Sequence, residues 1–293
     1  MNKDIVNYKN ILVIGNGFDL NLGLKTAYSD YLNSENFQEL LDRNSLARYL
    51  NNCKKTSKWV DIEKELYNYS NSLFYKVENN LRPNPKSVQL ISYLRGDYYE
   101  ICYSLREYLK KATTCQIDFN DKAAYKIVSK VFTQKNVYTY ILTFNYTEII
   151  ERLHQCYFPS SENFCINHIH GSLQNNNIVF GIEDSAEVAK KHVFLYKSYN
   201  TTQNINGLIS VFENAKNITF FCYSLGETDH SYFDDFFNAQ TKPDCDRKKF
   251  TFYYYGQEAY DDLIWQLKTL TKNRLTYLKQ YNQLEFHDVS RFK

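Results

Sequence analysis

Four short polar clusters hold the residues able to do chemistry, and each directly follows an apolar run. They are Gly15-Asn16-Gly17-Phe18-Asp19, Thr143-Phe144-Asn145, His168-Ile169-His170-Gly171, and the stretch YSLGETD from Tyr223 to Asp229. A Gly-x-Gly turn after Ile11-Leu12-Val13-Ile14 is how a buried parallel strand delivers the chain to a phosphate. Two glycines permit the sharp turn, and they let amide N–H groups approach an anion that a Cβ would hold off. The hydride-transfer fingerprint would also ask for a third glycine at position 20 and a second strand within about thirty residues. Position 20 is Leu20, and the next convincing strand begins at Val137. The turn is of nucleotide type without being that of a standard dehydrogenase.

Each polar residue has a structural reading beside the chemical one. Asn145, with Thr147 and Glu148 after it, has the makings of a helix cap. His168 and His170 alternate onto one face of their strand, as two metal ligands would, but no third ligand accompanies them. A buried His168 with a functional His170 fits better, because Gly171 opens the backbone beside the latter. Asp19 either bonds the turn it closes or holds a ribose. Ser224 and Asp229 are turn and helix caps or ligand contacts. Trp59, Asp61 and Glu63 read as a helix start and core.

The elements that must position these clusters follow from periodicity. After the first strand the chain reads as helical for over a hundred residues. Carboxylates Asp61, Glu63 and Glu65 open a helix over 61–77, where its dipole favours them. Beyond Pro83 and Pro85, Leu94, Tyr98, Ile101, Cys102, Leu105, Tyr108 and Leu109 mark the buried face of a long helix, and a further helix fits 122–132. From Val137 strands and helices alternate. Strands are expected at 137–143, 164–170, 178–182, 217–222, 249–255 and 284–289, with helices at 147–156, 207–215, 230–238 and 258–270. This is an α/β pattern, a mostly parallel Rossmann-like sheet with a large helical insertion after the first strand. The expected domains are 1–30 with 134–293 for the nucleotide-binding sheet, and 31–133 for a helical insertion or cap. In such sheets ligands sit outside the carboxyl ends of the strands, where all four clusters fall.

Composition narrows the class. The 293 residues suit one or two domains, and 35 basic against 33 acidic residues leave a charge of +2 with no basic face to argue for nucleic acid. Tyr (27) and Phe (20) are frequent and evenly spread, which reads as compositional drift. Seven scattered cysteines without a C-x-x-C pair suit reduced thiols in a cytoplasm. The expected first strand starts too early to leave room for a signal peptide, and no apolar run reaches membrane-spanning length.

Taken together, GNGFD with the following GLKTAYSDYL, WVDIE (59–63), TFNYT (143–147), HIHGS (168–172) and SLGETD (224–229) resemble the bacteriophage abortive-infection AbiH family. More distantly the arrangement is similar to sirtuin-type NAD-binding domains, with a Gly-x-Gly turn, a T-x-N step, an HG step and a late Ser-Leu and Asp. The resemblance implies phage defence, and NAD(P) as substrate or ligand with no prosthetic group. It makes Asn145 and His170 the catalytic pair. It assigns nucleotide binding to Gly15, Asn16, Gly17, Phe18, Asp19, Thr143, Ser224, Leu225 and Asp229. The chain departs from sirtuins in lacking a four-cysteine zinc module, and it has Phe18-Asp19 where they prefer a small hydroxyl residue.

That chemistry suits the residue types. Cleaving the nicotinamide–ribose bond passes through an oxocarbenium-like state with a cationic leaving group already in place. The enzyme must chiefly position ribose and water and supply a base. Histidine titrates near neutrality, and asparagine offers a donor and an acceptor. A freely active glycohydrolase would kill its host, so this reading calls for a gate. The segment 31–133 is far longer than a crossover needs and is the candidate, acting with a defence partner or by homo-oligomerisation.

Overall fold

The computed structural model describes residues 8–56, 61–78, 85–200 and 205–292. Its sheet has six strands: β1 (Asn10–Ile14), β2 (Thr139–Thr143), β3 (Phe164–His168), β4 (Asn217–Phe221), β5 (Lys249–Tyr254) and β6 (Gln283–Asp288). All neighbours pair in parallel, in the order β3-β2-β1-β4-β5-β6. That is the order of doubly wound dinucleotide-binding sheets, with its switch point between β1 and β4. The fold is Rossmann-like α/β.

The sequence explains why these segments form the sheet. A central parallel strand is covered on both faces, so it needs a continuous apolar run, and Ile11 to Ile14 are all essentially inaccessible. Alternate residues serve opposite faces. Ile11, Val13, Leu142 and Phe220 enter one core, and Leu12, Ile14, Ile141 and Phe221 enter the other. On the first face Phe220, Phe252 and Phe286 stand in register on β4, β5 and β6 and stack at 4.9 and 5.2 Å. Each such cross-strand pair contributes about 0.2–1 kcal/mol beyond burial. The phenylalanines here therefore have a packing role.

The chain divides into two compact units, 1–24 with 117–169 and 204–293, and 25–116 with 170–203. The first holds the sheet. The helix Ala123–Thr133 belongs to it, sending Ala124, Ile127 and Val128 into the core with Leu12 and Ile14. The expected boundaries were 31 and 133, with everything beyond 134 assigned to the sheet domain.

The second unit is built on the helices Ser45–Thr56, Ile62–Glu78 and Pro85–Ala112. The longest buries Leu94, Tyr98, Ile101, Leu105 and Leu109 at three- and four-residue steps, as the pattern predicts. Segment 170–203 joins this unit and corrects one expectation. Residues 178–182 (IVFGI) make no strand, only an isolated bridge from Ile182 to Tyr196. Their amides bond singly to scattered partners: Val179 to the His170 carbonyl, Gly181 to the Glu63 carboxylate, Ile182 to the Leu195 carbonyl. An apolar run bonded in that way is buried without being in a ladder. None of the described helices is long and apolar enough to cross a membrane.

Candidate functional site

Strand register brings the strand ends at all four clusters level with one another. Ile14 pairs with Thr143 and with Phe221, and Thr143 pairs with His168. Beyond these ends the chain turns at the carboxyl edge of the sheet.

At the centre is Asn145, 6% exposed. Its backbone N–H donates to the Thr143 hydroxyl at 3.1 Å, and its carbonyl accepts from His168 Nδ1 at 3.0 Å. Its side-chain Nδ2 donates to Asp19 Oδ1 at 3.1 Å. That leaves Oδ1, which is buried and has no hydrogen-bond partner among the described residues. Buried polar atoms are nearly always satisfied, so an orphaned acceptor at a strand end needs an explanation. Asn145 is not a helix cap. The next helix, Ile149–Tyr157, starts after Glu148 and has no side-chain cap bond.

Asp19 is 1% exposed and takes two hydrogen bonds from β2's trailing loop, the second from Thr147 Oγ1 at 2.6 Å. Burial raises its pKa to about 7; the Thr147 and Asn145 hydrogen bonds and the positive field of His168 pull the other way without winning. Of the roles expected for Asp19, a side-chain bond to its own turn is not what this geometry shows. Its carboxylate reaches across to the neighbouring strand's loop. His168 is clasped at both nitrogens, by the Asn145 carbonyl and by Glu151 Oε1 at 2.7 Å. Burial opposes its charge, but the Glu151 hydrogen bond and charge outweigh that and hold its pKa above the ordinary histidine value. Both ring nitrogens of His168 are thus engaged within the protein.

The glycines of the first turn are closely packed. A Cβ on Gly15 would stand 2.8 Å from the Cys222 carbonyl oxygen, and one on Gly17 would stand 2.4 Å from Cys222 Cβ. The protein itself fills the space beside them at the β1/β4 switch point. Phe18 is fully buried, edge-on to Phe221. In the fourth cluster Tyr223 stacks on Phe144 at 4.2 Å and donates its hydroxyl to Asp229 at 3.0 Å. Leu225 turns its side chain into the core, and Ser224 is exposed. Cys222 and Leu225 both have φ near +50°, a conformation non-glycine residues rarely adopt away from functional or strained sites. Asp229 lies in the 3-10 turn Glu227–Tyr232, whereas 230–238 was expected to be helical; the α-helix is Asp234–Ala239, entered from Phe233.

The sequence profile described as "Bacteriophage abortive infection AbiH" matches residues 11–255. The chain belongs to the AbiH family. That membership assigns it to phage abortive infection. A search of curated proteins finds no match.

The remaining AbiH-type motifs fall in the second unit. β3 ends at His168, so His170 lies past the strand and the two histidines do not alternate along it. His170 is buried, and its carbonyl accepts from the Val179 amide at 2.6 Å. Gly171 needs to be glycine for a backbone reason. Its φ is +72°, and a Cβ there would meet the Asn177 carbonyl oxygen at 2.1 Å. In WVDIE, Trp59 lies outside the described residues. Asp61 starts the helix Ile62–Glu78, its side chain accepting from the Lys64 amide at 3.1 Å. Glu63 is buried against Lys197 Nζ at 2.9 Å. Sequence reasoning missed Thr147, Glu151 and Lys197. Thr147 stands inside TFNYT and was legible as more than a cap; Lys197 carries no local signal.

Proposed function

We propose that this AbiH chain is an NAD(P)-cleaving glycohydrolase that acts in the cytoplasm during abortive infection, releasing nicotinamide and ADP-ribose. The observation that supports the reading is Asn145. Three of its polar atoms are held by the protein, and the fourth, an amide oxygen, is buried and unmet among the described residues. It stands at the carboxyl end of β2, where sheets of this order hold ligands. A fixed acceptor there suits a ribose hydroxyl or an attacking water.

In the reaction the C1′–N bond breaks with its electron pair leaving on nicotinamide. Water adds to C1′ and passes a proton to a base. Asn145 orients the hydroxyl or water, and His170, two residues past β3, is the base by likeness to sirtuin-type domains.

Purified protein is incubated with NAD, with and without EDTA, and nicotinamide is followed by chromatography. The expected result is release unaffected by EDTA, reduced about a hundredfold or more in Asn145→Ala and in His170→Ala. NAD binding without release would make the protein a nucleotide sensor, and release abolished by EDTA would make it a metal-dependent hydrolase.

A further inference from the structure

Asp19 sits in the first of the motifs that mark the family resemblance, yet the proposed reaction gives it no part. We propose that Asp19 is a positioning residue, an ionised clamp that fixes the Asn145 amide with its oxygen toward the ligand and loses that selectivity when protonated. The inference rests on Asn145 being a ligand contact.

The geometry carries it. Both Asp19 oxygens are engaged, Oδ1 by Asn145 Nδ2 and Oδ2 by the Thr147 hydroxyl. An ionised carboxylate only accepts hydrogen bonds, so Asn145 must turn its NH2 inward and its oxygen outward. A protonated Asp19 has an O–H to give. Asn145 can then flip, accept that proton with its oxygen and point NH2 at the ligand. The outward group changes from acceptor to donor, which is the wrong polarity for a hydroxyl or water that must donate.

Backbone atoms cannot compensate, because Asn145 is held at its N–H by Thr143 and at its carbonyl by His168. The charged groups facing the clamp are His168, which favours ionised Asp19, and Glu148, which opposes it; Glu151 acts on Asp19 through His168. Burial places the titration near neutrality, at about 7. A clamp of this kind changes state within the pH range of a living cell.

The test follows the Asn145 side-chain amide by 15N NMR between pH 5.5 and 8.5, in wild type, Asp19→Asn and Thr147→Val. Wild type should shift with a midpoint near 7. Asp19→Asn should show no such step. Thr147→Val, which removes a donor to the ionised carboxylate, should move the midpoint upward. In parallel, ADP-ribose affinity should fall roughly tenfold from pH 8 to pH 5.5 in wild type, the loss of about one hydrogen bond, and stay flat in Asp19→Asn. A pH-invariant Asn145 amide in wild type, or a step that survives in Asp19→Asn, overturns the clamp. No ADP-ribose binding at any pH overturns the nucleotide reading instead, and the NMR titration still decides the clamp.

Discussion

Two buried carboxylates, one in each unit, differ in what holds them. Glu63 in the helical unit faces the Lys197 ammonium at 2.9 Å, and its other oxygen takes the Gly181 amide. Among the described residues, Asp19 in the sheet unit is bonded by the neutral donors Asn145 and Thr147, with His168 acting on it at longer range. A buried carboxylate bonded to an opposite charge has its charge matched directly. One held by neutral groups, as Asp19 is, is poised between two states, and its pKa of about 7 expresses that. Each belongs to one of the motifs that mark the family resemblance, yet the chemistry of their surroundings gives them different work. Glu63 fixes the segment around Gly181, while Asp19 pays in stability for a defined amide orientation.

The largest effect expected from this contrast is at Lys197. Lys197→Met removes the cation beside the buried Glu63 carboxylate, and chemical denaturation should show a loss of about 3–5 kcal/mol. A loss within a few tenths would mean that the pair is not the anchor of its unit.

Next is the first turn. Gly17→Ala places a methyl against Cys222 and should cost about 1–3 kcal/mol of stability, read by the same method. The same substitution with unchanged stability and weakened ADP-ribose binding would show that the glycine is needed for the phosphate and not for packing.

Asp19→Asn should do the opposite and stabilise the protein at pH 8. The folded pKa of Asp19 lies above its unfolded value, so its contribution is intact below pH 4 and is lost as pH rises through about 7. Removing the charge should therefore gain on the order of 1 kcal/mol at pH 8, with the lost charge-assisted hydrogen bonds offsetting part of the relief. The gain should fade toward pH 4. Destabilisation at pH 8 would show that the carboxylate is not held at a cost.

The smallest effect is at Glu151. Glu151→Gln removes the partner charge that raises the His168 pKa, so the imidazole should titrate lower by NMR. In wild type the stability from His168 is present below the ordinary histidine pKa and disappears as pH rises through its raised folded value. That slope should flatten in the variant.

Much of the fold was legible because parallel strands advertise themselves. Ile11 to Ile14, and Phe220-Phe221 closing β4, are apolar runs ending in polar turns, and the long helix showed its period from Leu94 to Leu109. The run IVFGI misled because an apolar pentad records burial, not the direction of its hydrogen bonds. At the site, clusters at strand ends located Asp19, Asn145 and His168. Their bonding was not legible, because it joins residues far apart in the chain. Asn145 looked like the cap of a helix whose N-cap is Glu148 instead, and Lys197 has nothing around it in the sequence to announce Glu63.

The central claim is that the buried amide oxygen of Asn145 is a ligand contact. Calorimetric titration of ADP-ribose at pH 8 into wild type and Asn145→Ala tests it directly. The account expects binding to wild type and an affinity at least about tenfold weaker in the variant. Equal affinity for the two proteins would contradict it.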